Sequence, residues 1–232
     1  MIHPRPRGAT RLARLAAAAS LAVALVLACH EGVGPGACFE PNAQAYAFDL
    51  SGDPNLVFHW PASYMPVRVY AEPTGNLPAN VQNAISLWTS AFRCHELSLT
   101  FTTDSTHADI VVRNPVTLPA APPAARVMHA DSSGACQGVT HVELDSTGTA
   151  FTGPLRSYVA PFVGADTALV TSCYHFVTAH ELGHALGILA HSPDPNDLMY
   201  ASPFRLALTE DDRYTIQVLY HLTSKIAPPP RR

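Results

Sequence analysis

Residues 180–191 read HELGHALGILAH, and this segment constrains the fold of the chain more than any other. His180 and His184 are four residues apart, so on a helix they project from the same face about one turn apart. Two imidazoles at that spacing can bind one metal ion, and Glu181 lies beside the first of them. The segment therefore predicts a helix that carries a metal site.

Gly187 predicts where this helix ends, because glycine readily adopts the left-handed conformation that terminates helices. In a continuous helix, His191 would lie about 16 Å along the axis from His180 and could not share its ion. A turn at Gly187 instead lets the chain fold back and bring His191 to the same ion. Three nitrogen ligands and one open position for water are typical of catalytic zinc sites, and the carboxylate of Glu181 can reach that water.

The segment resembles the HExxHxxGxxH signature of the metzincin zinc peptidases, and within them it is most similar to the matrixins. The resemblance continues through Ser192, a short polar loop and the pair Met199-Tyr200, and then through the last helix. The close match covers about residues 172–222, and between Trp60 and Leu144 only the order of elements agrees. Three residues separate Gly187 from the last histidine where the signature has two, so the turn must bulge or lengthen there.

This resemblance implies a zinc-dependent endopeptidase with one catalytic Zn²⁺. It implies three zinc ligands, namely His180, His184 and His191. Three acidic residues are alternatives to the third histidine, namely Asp194, Asp197 and Glu210. Glu181 is implied as the general base that takes a proton from the zinc-bound water.

The resemblance also implies the surroundings of the metal. Met199 is expected in a tight turn, the Met-turn, as a hydrophobic floor beneath the zinc site. Tyr200, Pro203 and Phe204 are expected to line the substrate pocket or to pack beneath it. The substrate peptide is expected to lie extended against an exposed strand edge, and residues 140–145 are the candidate for that edge.

Hydrophobic periodicity predicts a single α+β domain. By the resemblance, its fold is zincin/metzincin-like, with a twisted mixed sheet, an active-site helix, a Met-turn and a C-terminal helix. Apolar alternation predicts strands near 67–70, 97–102, 108–113 and 140–144, with a loop over 114–125. Helical patterns predict a helix that opens at Pro78, the active-site helix over about 174–187, and a last helix from Thr209 with a capping-box-like partner at Asp212.

The first 28 residues have the pattern of an export signal, with four arginines before an apolar run that starts at Leu15. The run ends Val26-Leu27-Ala28-Cys29, which resembles a bacterial lipobox. That resemblance implies lipidation of Cys29 and an exported protein anchored at the bacterial cell envelope. The alternative is ordinary signal cleavage and a secreted protein. The predicted organisation is signal 1–28, tether 29–55, catalytic domain 56–224 and tail 225–232.

The chain has five cysteines, an odd number for an exported protein. If Cys29 carries lipid, four cysteines remain and can form two disulfides in an oxidising compartment. These four are Cys38, Cys94, Cys136 and Cys173, and all three of their pairings are open.

The net charge and the distribution of basic residues indicate which classes of partner the protein can bind. The formal net charge is −4, and no basic stripe follows the N-terminus, which argues against nucleic acid as a partner. The predicted partner is a peptide or protein substrate, with membrane contact only through the lipid anchor and no prediction of oligomeric state. Two other classes are a non-catalytic zinc-binding or adhesion lipoprotein, which would not require Glu181, and a metal-scavenging protein, which the scattered histidines argue against.

A second ion site has only a weak signal. His129, Asp131 and His141 resemble part of the structural zinc site of matrixins, but their spacing differs and no fourth ligand is evident. Calcium is common in the family, yet the sequence contains no evident carboxylate cage. The sequence therefore supports neither a second zinc nor calcium.

Overall fold

The computed structural model describes residues 38–49, 53, 56–122, 125–127 and 131–231. The predicted export signal, the lipidation site Cys29, most of the first half of the predicted tether and His129 lie outside these residues. The side chains of residues 125–127 and 131–133 also lie outside the description.

A mixed sheet forms the framework of the domain. Its strands within the described residues are β1 Val67–Ala71, β2 Leu99–Thr102, β3 Ile110–Arg113, β4 Ala125–Val127, β5 Asp131–Ser133, β6 Cys136–Glu143 and β7 Leu155–Pro161. The order across the sheet is β2-β1-β3-β7-β6-β4, and β5 also pairs with β6. Strands β2, β1, β3 and β7 run parallel, whereas β6 is antiparallel to β7, β4 and β5.

Three α-helices complete the described part of the domain: α1 Leu77–Thr89, α2 Thr167–Leu186 and α3 Glu210–His221. Pro78 lies in the first turn of α1. Backbone N–H groups in the first turn have no acceptor within the helix, so the absence of this group in proline costs no hydrogen bond there. Thr209 and Asp212 form the predicted capping box at the start of α3. Because α1 and α2 pack together against the sheet, the predicted α+β architecture is confirmed.

The core lies between the sheet and these helices. Trp60, Trp88, Phe58 and Phe151 are its largest side chains, and each is at most 2% exposed. Phe58 and Phe151 meet edge to face with ring centroids 4.6 Å apart, a favourable aromatic geometry. This core supports the C-terminal part of α2, from Ala179 to Leu186.

Two elements differ from the sequence prediction. Helix α2 begins seven residues earlier than expected, because the side chain of Asp166 accepts hydrogen bonds from the N–H groups of Ala168 and Leu169 and caps the helix there. Strand β7 was not predicted. Its inward-facing position Ser157 is polar and fully buried, so the apolar alternation that marks a strand is interrupted.

The prediction that residues 140–145 form an exposed strand edge is wrong. In this stretch, His141 pairs with Arg156 of β7 on one side and with Val127 of β4 on the other. Strand β4 comes from the end of the proline-rich segment that was predicted to be a loop. Its backbone pairs with the edge of β6 that the prediction assigned to the substrate.

The packed domain extends beyond the predicted limits of 56 and 224. Within the predicted tether, the backbone N–H of Glu40 donates to Gln217 at 2.6 Å, and the Tyr46 hydroxyl donates to Asp212 at 2.6 Å. Within the predicted tail, Ile226 is 2% exposed and the N–H of Ala227 donates to the carbonyl of Thr149 at 2.8 Å. Both segments therefore belong to the folded domain where the structure describes them.

No helix in the described part of the chain has both the length and the apolar character required to cross a bilayer.

Disulfides are present, as the sequence predicted. Cys136 at the start of β6 is bonded to Cys173 in α2, 37 residues later. Cys38 and Cys94 are disulfide-bonded as well. The Cys136–Cys173 bond fixes the active-site helix to the strand that runs beside it.

Replacing Cys136 and Cys173 together by serine is expected to lower the free energy of unfolding by about 3–4 kcal/mol, because a loop of this length loses its closure constraint in the unfolded chain. Equilibrium unfolding in urea measures the difference. Both proteins are compared in chelator, since a bound metal would add stability of its own. A loss below about 1 kcal/mol would contradict this expectation.

Candidate metal centre

The last two turns of α2 carry two histidines and one acid. His180, Glu181 and His184 are all fully buried. The rings of His180 and His184 lie 4.7 Å apart, centroid to centroid, as expected for positions one helical turn apart. The helix thus holds two imidazoles at a spacing that one ion can bridge.

Gly187 ends α2 in the left-handed conformation that the sequence predicted. Its φ is 118°, and its N–H donates to carbonyls of the last helical turn. A Cβ atom at this position would overlap the carbonyl oxygen of Phe58. Both the backbone angle and the available space therefore require glycine here.

The chain then returns toward the helix and delivers the third histidine. The ring of His191 lies 5.4 Å from that of His180 and 5.1 Å from that of His184. One ligand atom from each ring lies within 4.8 Å of the other two. The return loop accommodates three residues before His191 by burying Ile188 and Leu189, and the N–H of Leu189 donates to the carbonyl of Phe48 at 2.8 Å.

Backbone carbonyls set the orientation of two of the rings. Nδ1 of His180 lies 2.7 Å from the carbonyl oxygen of Leu198, and Nδ1 of His184 lies 2.6 Å from that of Ile188. A carbonyl oxygen can only accept a hydrogen bond, so each Nδ1 carries the proton. The lone pair of each neutral ring is then on Nε2, as a metal ligand requires. Three imidazoles arranged in this way fit a zinc ion.

The acidic alternatives to His191 are engaged elsewhere. The carboxylate of Asp197 accepts hydrogen bonds from Ser192 and from the Thr209 hydroxyl. Asp194 accepts from the backbone and side chain of Asn196, and Glu210 is exposed in the first turn of α3. The structure places none of the three with His180 and His184, and His191 is the residue that joins them.

Met199 lies where the Met-turn was expected. The turn is closed by a hydrogen bond from the N–H of Ser192 to the carbonyl of Met199, at 2.9 Å. Met199 is fully buried, and its sulfur lies against Gly183 in the last turn of α2. A Cβ at Gly183 would overlap both that sulfur and the indole of Trp88. Glycine at this position lets the turn pack directly beneath the two histidines.

Two buried carboxylates hold the Met-turn in place. Asp212 accepts a hydrogen bond from the N–H of Leu198 at 2.8 Å, and Asp197 accepts from Thr209 at 2.6 Å. Burial raises the pKa of Asp197 above its ordinary value, and the charge of Asp212 adds to this, although the hydroxyls of Ser192 and Thr209 act in the opposite direction. The first turn of α3 is thereby connected to the floor of the site.

Glu181 is contacted by strands that the sequence did not connect with it. Its Oε2 accepts a hydrogen bond from the Thr140 hydroxyl at 2.7 Å, and Ser157 lies 2.9 Å from that hydroxyl. A Cβ at Gly138 would overlap the Glu181 carboxyl group, so this carboxyl group packs directly against the backbone of β6. Gly138 lies two residues before the strand predicted at 140–144, and a glycine within a strand often marks a close approach, but the prediction did not extend the strand to it.

Two tryptophans also hold α2, and the sequence did not assign them to the site. The indole N–H of Trp60 donates to the carbonyl of Ala185 at 2.9 Å, and that of Trp88 donates to the carbonyl of Ala179 at 2.8 Å. Trp88 is a buried residue of α1, the helix predicted to open at Pro78. Both bonds restrict movement of the helix around the histidines.

The predicted pocket residues follow the Met-turn. Tyr200 is half-buried, Pro203 is buried and Phe204 is 48% exposed. The guanidinium of Arg205 lies 5.0 Å from the centre of the Phe204 ring. Their assignment to a substrate pocket remains a prediction.

The second zinc site suggested by His129, Asp131 and His141 is only partly covered by the described residues. The side chain of Asp131 lies outside the description, as does His129. His141 is buried with its ring 5.1 Å from that of Tyr158, and burial lowers the pKa of His141. These contacts are those of an ordinary packed histidine.

A cavity of about 590 Å³ has none of the three site histidines in its lining, and several of its lining residues are charged. Arg68 and Arg231 both contact Asp109, and Arg156 pairs with Glu143 at 2.9 Å. Burial tends to raise the pKa of Asp109, but hydrogen bonds from Arg68 and the charge of Arg231 hold it below its ordinary value. Because its arginines neutralise these acids, the cavity has the character of an ion-pair network.

Comparison with known proteins supports the geometry. The family model described as Matrixin matches residues 70–221. A 49-residue segment is 53% identical to human "Matrix metalloproteinase-20", and it covers 19% of this chain and 10% of that protein. The chain therefore spans about a tenth of the length of this curated relative.

Proposed function

Because this chain belongs to the matrixin family, we propose that it is a zinc-dependent endopeptidase that hydrolyses peptide bonds in peptide or protein substrates. One observation carries the proposal: three imidazoles have ligand atoms within 4.8 Å of one another, and the buried acid Glu181 follows the first of them on the same helix. A non-catalytic zinc site does not require an acid at that position.

The three histidines are the proposed zinc ligands. Nε2 of His180 and of His184 is the ligand atom, because each Nδ1 donates to a backbone carbonyl. His191 supplies the third nitrogen from the return loop. Zinc held by these residues would polarise a substrate carbonyl and lower the pKa of a water molecule toward neutrality.

Glu181 is the proposed general base. It follows the first ligand on α2, so its carboxylate is adjacent to the metal position. It takes a proton from the attacking water and later delivers that proton to the leaving amine. Burial of the acid and its contact with Thr140 keep it in one orientation, which efficient proton transfer requires.

The proposed substrate pocket lies beyond the Met-turn. Phe204 is a large apolar side chain that is 48% exposed, and it follows the buried floor residue Met199 by only five positions. We assign Tyr200, Pro203 and Phe204 to this pocket because they follow Met199, the floor of the metal site, within five positions along the chain.

Removal of the metal tests the proposal. We expect the purified chain to cleave an internally quenched peptide or casein, to lose this activity after dialysis against a zinc chelator, and to regain it with one equivalent of Zn²⁺. An inhibitor of serine peptidases is the control and should have no effect. One tightly bound zinc without turnover would indicate a non-catalytic zinc-binding lipoprotein, and several weakly bound ions without turnover would indicate metal scavenging.

We also propose export, with lipid attached at Cys29. The apolar run before Cys29 and the disulfide-bonded cysteines support this, since disulfides persist in oxidising compartments. Expression in a bacterium with labelled palmitate tests it: the wild type should carry label in the membrane fraction, and Cys29→Ser should not. An unlabelled wild type in the culture medium would indicate plain secretion.

A further inference from the structure

We propose that Thr140 is a positioning residue for Glu181. Its hydroxyl anchors one carboxylate oxygen, so that the other oxygen is held in the orientation needed for proton transfer. The inference rests on the proposed function, because it gives Thr140 a role in the same reaction.

The hydroxyl contacts identify Thr140 as a hydrogen-bond donor to the acid. Its Oγ1 lies 2.7 Å from Glu181 Oε2, 3.2 Å from the backbone carbonyl of Glu181 and 2.9 Å from Ser157 Oγ. A hydroxyl has one proton, and the carboxylate is both the nearest and the strongest of these acceptors. Thr140 therefore donates to Glu181 and accepts from Ser157.

The sheet fixes both hydroxyls beneath the acid. Thr140 of β6 is directly paired with Ser157 of β7. Both residues are fully buried, and so is Glu181. Their backbone positions follow from the strand register, so the ladder between β6 and β7 places the two side chains next to each other beneath Glu181.

The carboxyl group also has a fixed resting surface. A Cβ at Gly138 would overlap Oε1 and Cδ of Glu181 and the side chain of Val177. The acid thus lies on the glycine backbone of β6, two residues before the threonine that bonds to it. Backbone contact limits the position of the carboxyl group, and the hydroxyl bond limits its rotation.

A hydrogen bond to a charged acceptor is among the stronger ones in proteins, and its loss leaves the carboxylate free to rotate. Valine has the shape of threonine without the hydroxyl, so Thr140→Val removes the anchor and little volume. Because a misaligned base slows proton transfer more than substrate binding, the effect should fall on kcat.

The test compares four full-length, zinc-loaded proteins. We expect Thr140→Val to lower kcat about 10- to 100-fold with KM within about two-fold of wild type. Thr140→Ser restores the hydroxyl and should return kcat to within about three-fold of wild type. Thr178→Val is the matched control: it replaces another buried threonine of the same region, whose hydroxyl has no hydrogen-bond partner in the described structure. Its kcat should be unchanged.

Two readouts do not depend on turnover. Zinc content should stay at one ion per chain in all four proteins. Crystal structures of the zinc-free proteins should show the Glu181 carboxylate in one orientation in the wild type and Thr140→Ser, and rotated or in several orientations in Thr140→Val.

The outcomes separate this inference from the proposed function. If Thr140→Val keeps the wild-type kcat and carboxylate orientation while Glu181→Gln is inactive, the positioning role is wrong and the peptidase stands. If serine does not rescue, or if Thr178→Val loses as much activity, the effect is one of core packing and the inference fails. A zinc-loaded wild type without peptidase activity would overturn both.

Discussion

Glu181→Gln is expected to lower kcat by about 10²- to 10⁴-fold, because glutamine cannot take a proton from the attacking water. The amide occupies nearly the same volume and can still accept the hydrogen bond from Thr140. The fold and the three histidines should therefore be unaffected, and zinc content should remain at one ion per chain. Initial rates on a quenched peptide, together with metal analysis of the same sample, measure both quantities.

Glu143→Gln is the matched control for this substitution. Glu143 lies on β6, and its carboxylate is part-exposed and paired with Arg156 at 2.9 Å. Surface pairs of this kind contribute little, so activity should stay close to wild type. If Glu181→Gln turned over substrate at the rate of Glu143→Gln, the general-base assignment would be wrong.

Gly187→Ala is expected to have the largest effect on the fold around the metal. At φ 118°, an alanine carries a backbone cost of about 1–2 kcal/mol. Its Cβ would also overlap the carbonyl oxygen of Phe58, and relief of such crowding typically costs a further 1–3 kcal/mol or so. We therefore expect a loss of about 2–5 kcal/mol in the free energy of unfolding, accompanied by weaker zinc binding, because the return loop that brings His191 must shift.

Gly148→Ala separates the two contributions. Gly148 also has a positive φ, 74°, but no atom lies within 4 Å of the position of an added Cβ. This variant should show only the backbone cost of about 1–2 kcal/mol and unchanged zinc affinity. Urea unfolding in chelator and competitive zinc titration compare the two. Equal losses in both variants would mean that the Phe58 contact does not constrain the turn.

The metal site was predictable because its parts are close in sequence. Helical periodicity alone places His180 and His184 on one face, and the helix-ending preference of glycine alone suggests that His191 returns to them. The structure has α2 ending at Gly187 and the three rings together. Local geometry was sufficient because at most ten residues lie between any two of these ligands.

The support of Glu181 was not predictable, because it depends on strand register. Thr140 and Ser157 meet the acid only when β6 and β7 pair and α2 lies across them. In the sequence they are 41 and 24 residues from Glu181. The same dependence on long-range pairing explains why the predicted strand edge at residues 140–145 was wrong: β4 fills it from a segment that has the composition of a loop.

The extent of the domain was underestimated for a related reason. The segment before residue 56 lacks periodicity and contains several glycines and prolines, which is typical of a tether. Its contacts include hydrogen bonds to distant elements, such as the bond from Tyr46 to Asp212 of α3 and the bond from Leu189 to the carbonyl of Phe48. Hydrogen bonds between distant segments leave no pattern in either segment alone.

X-ray absorption at the zinc edge tests the convergence of the three histidines most directly. For the wild type, we predict one zinc per chain with three imidazole nitrogens and one oxygen at about 2.0–2.1 Å. His191→Ala should lose one imidazole from this shell and bind zinc far more weakly. A wild-type protein that retains no zinc, or an absorption spectrum that His191→Ala leaves unchanged, would contradict the account.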